Sequence, residues 1–200
     1  MTLILFTRYP EPGATKTRLI PALGPQGAAS LQRWMSERTL GLAQAFCQRQ
    51  GIPLEVHFEG GGEEAMREWL GPQTFTPQVG STVGERMDHS FALAFSAGVK
   101  RAVIIGSDCP GLTVEILEQA FASLTGCDLV LGPARDGGYY LIGLTKPRPF
   151  LFTDIPWGTA AVLHQTLDRA RSLTISQLPP LHDIDRPEDL AHLDYHPHPQ

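Results

Sequence analysis

Short apolar runs alternate with longer stretches of helical periodicity along this chain of 200 residues, and the alternation predicts most of a fold. Leu3 to Thr7 is an apolar run of strand length, as expected for a strand buried on both faces of a sheet. From Gln26 to Gln48 the apolar positions Leu31, Trp34, Met35, Leu42 and Phe46 fall at helical spacing, and Gly51-Ile52-Pro53 ends that helix. Leu54 to Gly60 alternates like a second strand. Glu63 to Leu70 reads as a short helix stopped by Gly71-Pro72, and a weak strand at Phe75 to Val79 precedes a helix from Val83 to Ala97. The strongest strand signal is in RAVIIGSDCPGLT, Arg101 to Thr113. Its β-branched residues Val103, Ile104 and Ile105 stop abruptly at Gly106-Ser107-Asp108, and a Cys-Pro-Gly turn leads into a helix from Val114 to Leu124. Strands at Asp128 to Gly132, Tyr139 to Leu144 and Leu173 to Leu178, a helix from Ala160 to Ala170 and a last helix from Pro187 complete the series. Strands alternating with helices predict a single domain over residues 1–200, an α/β three-layer α/β/α sandwich with a mostly parallel, mixed sheet. The tail from residue 194, DYHPHPQ, is expected to be flexible.

Composition narrows the function classes. With 42% hydrophobic and 18% charged residues the chain has ordinary globular values, and its net charge of −5 offers no overall basic field for nucleic acid. No apolar run approaches the length of a membrane span, and the opening MTLILFTRYP lacks the basic flank of a signal peptide. Cys47, Cys109 and Cys127 are few and widely spaced, so neither a disulfide framework nor a zinc knuckle is suggested. A cytoplasmic location is expected.

The candidate chemistry clusters after strands. Asp108 ends the central strand, where open α/β sheets bind ligands, and is a candidate for holding Mg²⁺ or Mn²⁺ with the phosphates of a nucleotide; a cap for the following helix is the alternative role. After the first strand, RYPEPGATKTRL offers Gly13 for close backbone approach and Lys16 and Arg18 for phosphate oxygens. It is neither a P-loop nor a dinucleotide fingerprint: position 8 is arginine, Lys16 lies three residues past Gly13, and no G-x-G-x-x-G follows the strand. Asp136, Gly137, Gly138 and Tyr139 read equally well as a tight turn or as a substrate-contacting one. In LHDIDRPEDL, Glu188 and Asp189 suit a helix start, whereas Asp183 and Asp185 precede it. Since Mg²⁺ is held by one or two carboxylates plus substrate phosphates, Asp108 with Asp185 is the candidate pair, and Asp183 the alternative.

In order, PEPGATKTRL, VGERM, IIGSDCPGLT, LGPARDGGYYLIGL, PWGTAAVL and DIDRPEDL resemble the GT-A nucleotide-diphospho-sugar transferase superfamily. More narrowly, the chain is similar to the bacterial glycosyltransferase-like group of unknown substrate related to 2-phospho-L-lactate guanylyltransferase. The resemblance runs over nearly the whole chain. It implies a bound nucleoside triphosphate or nucleotide sugar, a divalent metal and a small-molecule acceptor. By the same resemblance Lys16 and Arg18 match the phosphate-binding loop, and Asp108 and Asp185 match the two metal-binding acids; Lys16, Arg18 and Asp108 are the expected catalytic residues. The sequence departs from the pattern at Ser81-Thr82, where relatives carry a glycine and an acid, and Arg86 reads either as a phosphate contact or as a helix-surface arginine. The implied reaction is nucleotidyl transfer to a phosphorylated acceptor with release of pyrophosphate. Glycosyl transfer, with Asp136 as the candidate base, and nucleotide binding without catalysis are the alternatives. Thr159 is read as a helix cap and Cys109 as a small apolar filler, while His57, His89 and His182 have no partner legible in the sequence.

Overall fold

The computed structural model describes residues 1–193, so the tail expectation, with His196 and His198, lies outside the described residues. Seven strands form one sheet: β1 (Thr2–Arg8), β2 (Leu54–Glu59), β3 (Thr74–Pro77), β4 (Ala102–Gly106), β5 (Leu129–Pro133), β6 (Tyr139–Leu144) and β7 (Ile175–Gln177). The helices are α1 (Ile20–Gln50), α2 (Gly62–Leu70), α3 (Val83–Ser96), α4 (Val114–Ser123) and α5 (Val162–Arg169). The strand order is β3-β2-β1-β4-β6-β5-β7. All neighbours are parallel except β6, which runs antiparallel to both β4 and β5.

Strand alternation separates two cores. Leu3 and Leu5 of β1, with Val103 and Ile105 of β4, pack on one face against Leu40 and Phe46 of α1, Met66 of α2 and Leu117 of α4. Ile4 and Ile104, with Leu131 and Ile142, face the other way onto Met87 and Phe91 of α3, with Leu163 and Leu167 of α5 alongside. Helices on both faces bury the central strands, which is why β1 and β4 read as continuous apolar runs rather than as alternating ones. Each such fully buried Leu or Ile contributes about 1.5–3 kcal/mol.

Two helix ends differ from expectation. α1 begins at Ile20 with a short first piece that ends at the non-helical Gly24 (φ 69°, ψ 168°), and the long segment starts at Pro25, a residue suited to the first position of a helix. The segment Pro187–His192 is a 3₁₀ helix rather than an α-helix, and it contributes no buried residue that would anchor a longer one. Among the described residues, no helix is long and apolar enough to cross a membrane.

Candidate functional site

Chain connections run outward in opposite directions from β1 and β4, to β2 on one side and toward β5 on the other. A crevice opens at such a switch point. Here it is a cavity of about 510 Å³, within the size range of small-ligand sites, lined by the ends of β1 and β4, residues 14–18, the start of β6, part of α3, and Asp185.

The loop after β1 folds on itself before entering the cleft. Thr15 Oγ1 donates to the Tyr9 carbonyl at 2.9 Å, and Lys16 then takes the left-handed conformation (φ 50°). For a residue with a side chain this costs on the order of 1 kcal/mol. The Lys16 side chain is 5% exposed and its Nζ lies 2.9 Å from Asp108 Oδ2 and 3.6 Å from Asp185 Oδ1. The same ammonium donates to the Ile184 carbonyl at 2.8 Å. Arg18 Nη1 reaches Asp185 Oδ2 at 2.5 Å. The late segment that carries Asp185 is tied to the central strand by its backbone: Ile184 N–H donates to the Asp108 carbonyl at 2.9 Å, and Ile184 itself is fully buried. Two acids far apart in sequence thus face one point.

That point fits a divalent cation. The Lys16 ammonium already stands between the two carboxylates, and one or two carboxylates with ligand phosphates make up a typical Mg²⁺ shell. Among the described residues no group of three or more His, Cys, Asp or Glu is placed to hold a metal, so an ion here would draw its remaining oxygens from ligand and water. Asp108 is not a helix cap, because Thr113 caps α4 by accepting from Ile116 N–H at 3.4 Å. Asp183, unlike Asp185, is not among the residues lining the cleft. Burial and the neighbouring Asp136 carboxylate push its carboxyl up to about 6.

Of the residues expected to meet substrate, Tyr139 lines the cleft. Asp136, Gly137 and Gly138 form the turn before it: Asp136 Oδ1 accepts from Gly138 N–H at 2.8 Å, and Gly137, at φ +93°, lies so close to the Ala160 backbone that a Cβ would sit 2.3 Å from its carbonyl oxygen. Gly13 (φ +85°) shapes the first loop but is not among the residues lining the cavity.

The opposite end of the cleft holds a clasp that sequence reasoning missed. Glu59, ending β2, takes Arg8 Nη2 at 2.5 Å and Arg86 Nη1 at 2.6 Å on the same oxygen. Burial opposes the Glu59 charge, but hydrogen bonds from Arg86 and then Arg8 hold the carboxyl below its usual value. Arg86 is therefore no ordinary surface arginine; its Nε also donates to the Gly80 carbonyl at 3.0 Å. Gln78 Nε2 spans the carbonyls of His57 (2.9 Å) and Thr7 (3.3 Å). The only sequence signal for Arg8 and Glu59 was their place at strand ends. Ser81 and Thr82, the departures from the family pattern, build a helix start: Thr82 Oγ1 accepts from Glu85 N–H, and Glu85 Oε2 accepts from Ser81 N–H.

Other residues singled out in the sequence are engaged in local contacts. His57 is buried and paired through Nδ1 with Ser90 Oγ at 2.7 Å, and His182 stacks on His192. Thr159 is not the cap of α5, whose first residue follows Ala161 with no side-chain cap; its Oγ1 donates to the Pro156 carbonyl at 2.8 Å and accepts from Ala161 N–H at 3.3 Å, holding the turn before the helix. Cys109 packs in the core, where burial and then the Asp108 charge push its thiol well above the ordinary value.

Sheet order, switch-point cleft and paired acids define a protein of the nucleotide-diphospho-sugar transferase fold class. The family model for bacterial proteins described as uncharacterized and conserved, DUF2064, matches residues 42–159, and the chain belongs to that family. A candidate nucleotide-diphospho-sugar transferase from Desulfovibrio desulfuricans is 38% identical, with a TM-score of 0.87 over 94% of this chain and 84% of that one. More distant structures share the fold alone. CMP:2-keto-3-deoxy-manno-octonic acid synthetase, complexed with CTP, has a TM-score of 0.54 at 11% identity, covering 96% of this chain and 95% of its own. Rv0371c from Mycobacterium tuberculosis, complexed with manganese, has a TM-score of 0.55 at 14% identity, with 96% of each chain covered. No curated protein matches the chain.

Proposed function

We propose that this chain is a metal-dependent nucleotidyltransferase that moves a nucleotidyl group from a nucleoside triphosphate to a small phosphorylated acceptor and releases pyrophosphate. The coarser class, a nucleotide-utilising transferase, rests on family and fold; the candidate sugar-nucleotide transferase and the CTP-binding synthetase both support it. The finer reading is carried by one observation: Asp108 and Asp185 converge on one ammonium, that of Lys16, beside Arg18 in the cleft.

In this reaction an acceptor phosphate oxygen attacks the α-phosphorus and the bond to pyrophosphate breaks. The nucleophile is already anionic, so no protein base has to take a proton. Asp108 and Asp185 would hold Mg²⁺ or Mn²⁺, which supplies charge neutralisation for the phosphates. Arg18 orients Asp185 and presents its remaining donors to the cleft, while Arg86 and Arg8 set a second cationic rim at the far end. Tyr139 forms part of the wall on the β6 side. The work is positioning and preorganised charge. Glycosyl transfer would call for a base beside the acceptor, and Asp136 is engaged in its own turn.

Product analysis tests the proposal. Incubation with nucleoside triphosphates, Mg²⁺ and phosphorylated acceptors should release pyrophosphate, and Asp108→Asn should slow release by roughly a hundredfold or more with the fold retained. Release of nucleoside diphosphate from a nucleotide sugar, or an undiminished rate in the variant, would overturn it.

A further inference from the structure

The buried ammonium of Lys16 is chemically out of place for a phosphate ligand. Lys16 donates to the Ile184 carbonyl (2.8 Å), and the same ammonium lies 2.9 Å from Asp108 Oδ2 and 3.6 Å from Asp185 Oδ1. At 5% exposure, with its ammonium held between two carboxylates and a carbonyl, the side chain offers little to a ligand in this position although its residue lines the cleft. We infer that Lys16 is a resident counter-ion: it holds the cation seat between Asp108 and Asp185, and it is exchanged out of that seat, toward the ligand phosphates, when a metal-bound nucleotide enters. The inference rests on the metal-dependent reading above and adds to it a coupling between metal seat and phosphate contact.

Electrostatics favours exchange over simple addition. Two carboxylates facing one point repel each other, and each disfavours the other's charge unless a cation lies between them. The lysine supplies that cation in the free protein. Its departure without replacement would leave Asp108 without its ion-pair partner, so it leaves only as another cation arrives. Asp185 keeps a partner throughout, because Arg18 Nη1 stays 2.5 Å from its other oxygen. Asp108 Oδ2 has no second ion pair among the described residues and is the oxygen that release would free. Conformation points the same way. Lys16 sits in the left-handed region without a side-chain cap on the turn that follows, and Gly13, three residues earlier, has open space around it. Rotation of the four-carbon side chain carries the ammonium to the cleft with little backbone change. A metal alone must displace the lysine with nowhere charged to send it, whereas a metal with phosphates gives it a new partner. Metal and phosphate binding are therefore mutually reinforcing in the wild type.

Two measurements on the full chain test this without turnover. The first is Mn²⁺ titration followed by electron paramagnetic resonance, with no nucleotide present. Lys16→Met should bind Mn²⁺ at least tenfold more tightly than wild type, and Asp108→Asn in the Lys16→Met background should abolish the gain. Equal or weaker Mn²⁺ binding in Lys16→Met, or no binding by either protein, overturns the exchange. The second uses wild type only, so it stands even where the variant fails to fold. Acetylation of Lys16 by acetic anhydride, read by peptide mass spectrometry, should be slow in the free protein and at least tenfold faster with saturating Mn²⁺; subsequent tripolyphosphate should suppress it again. A rate unmoved by Mn²⁺ overturns the inference. Exchange without pyrophosphate-releasing turnover would leave it standing and remove the proposed reaction, and turnover with an Mn²⁺-insensitive Lys16 would do the reverse.

Discussion

Asp108 is held from behind by a chain of buried polar groups. Gln32 of α1, 3% exposed, donates through Nε2 to Ser36 Oγ (2.9 Å) and Ser107 Oγ (3.1 Å); Ser107 Oγ donates in turn to Asp108 Oδ1 at 3.4 Å. Thr7 Oγ1, at the end of β1, joins through Ser36 Oγ at 2.7 Å. A buried hydroxyl deprived of its partner costs about 1–3 kcal/mol. Gln32→Leu, close in size but without donors, should lose stability of that order in urea unfolding and weaken Mn²⁺ binding severalfold through a looser Asp108; unchanged stability would show that the network holds nothing. The sequence revealed Asp108, Asp185 and the cations of the first loop because local signals mark them: a strand that stops on a carboxylate, acids placed before a helix start. Gln32, Arg8 and Glu59 carry no such mark. Their roles come from partners remote in sequence, and a glutamine in a helix or a glutamate ending a strand reads as ordinary until the neighbouring element is in place.

The elements divide the same way. Hydrophobic periodicity located every strand and the main helices, because burial on both faces or on one stripe leaves a direct imprint on residue order. It could not by itself say which strand is reversed, since β6 has the same apolar run that a parallel strand would have; the tight turn at Asp136–Gly138, too short for a crossover, marks its antiparallel pairing with β5. Nor could it foresee that Gly84 is required by packing. A Cβ there would come within 2.4 Å of the Trp157 ring, so the indole lies directly on the first turn of α3 and fixes the segment before α5. The sheet's outer edge depends on an ionic clamp instead. Asp128, just before β5, accepts from Thr174 N–H (3.1 Å) and Oγ1 (2.9 Å) beside the three-residue β7, and from Arg148 Nη2 at 2.9 Å. The Thr174 backbone bond, its hydroxyl and Arg148 hold the Asp128 carboxyl below the ordinary carboxylate range. A carboxyl depressed in the folded state stabilises above its unfolded value and loses that contribution as pH falls through the folded one. Asp128→Asn should therefore melt below wild type at pH 7, and the gap should close as the pH drops below about 4. A gap of constant size across that range would assign the clamp to neutral hydrogen bonding.

For the whole molecule, charge is distributed against its own average. The chain carries a net −5, yet the cleft is lined by Arg8, Lys16, Arg18 and Arg86 against Glu59, Asp108 and Asp185. A cationic excess gathered in one concave site within an acidic protein draws a small polyanion to that site and offers little to an extended one. The paired acids then make the attraction conditional on a divalent cation. Ligand-induced stabilisation reads both conditions together. At a hundred times Kd a ligand that binds only the folded state adds about 2.7 kcal/mol, and for a chain of this size each kcal/mol raises Tm by about 2–4 °C. Thermal melts with each nucleoside triphosphate and with nucleotide sugars, with and without Mg²⁺ or Mn²⁺, should give a shift of several degrees for one triphosphate and only when metal is present. That pattern would name the base. A shift with nucleotide sugars alone would redirect the chemistry to glycosyl transfer. A metal-independent shift would mean that Lys16 serves as the permanent cation of the site. Absence of any shift would leave the fold and family intact and take away the support for a nucleotide substrate, because a cleft with this charge pattern has no reason to ignore its own ligand.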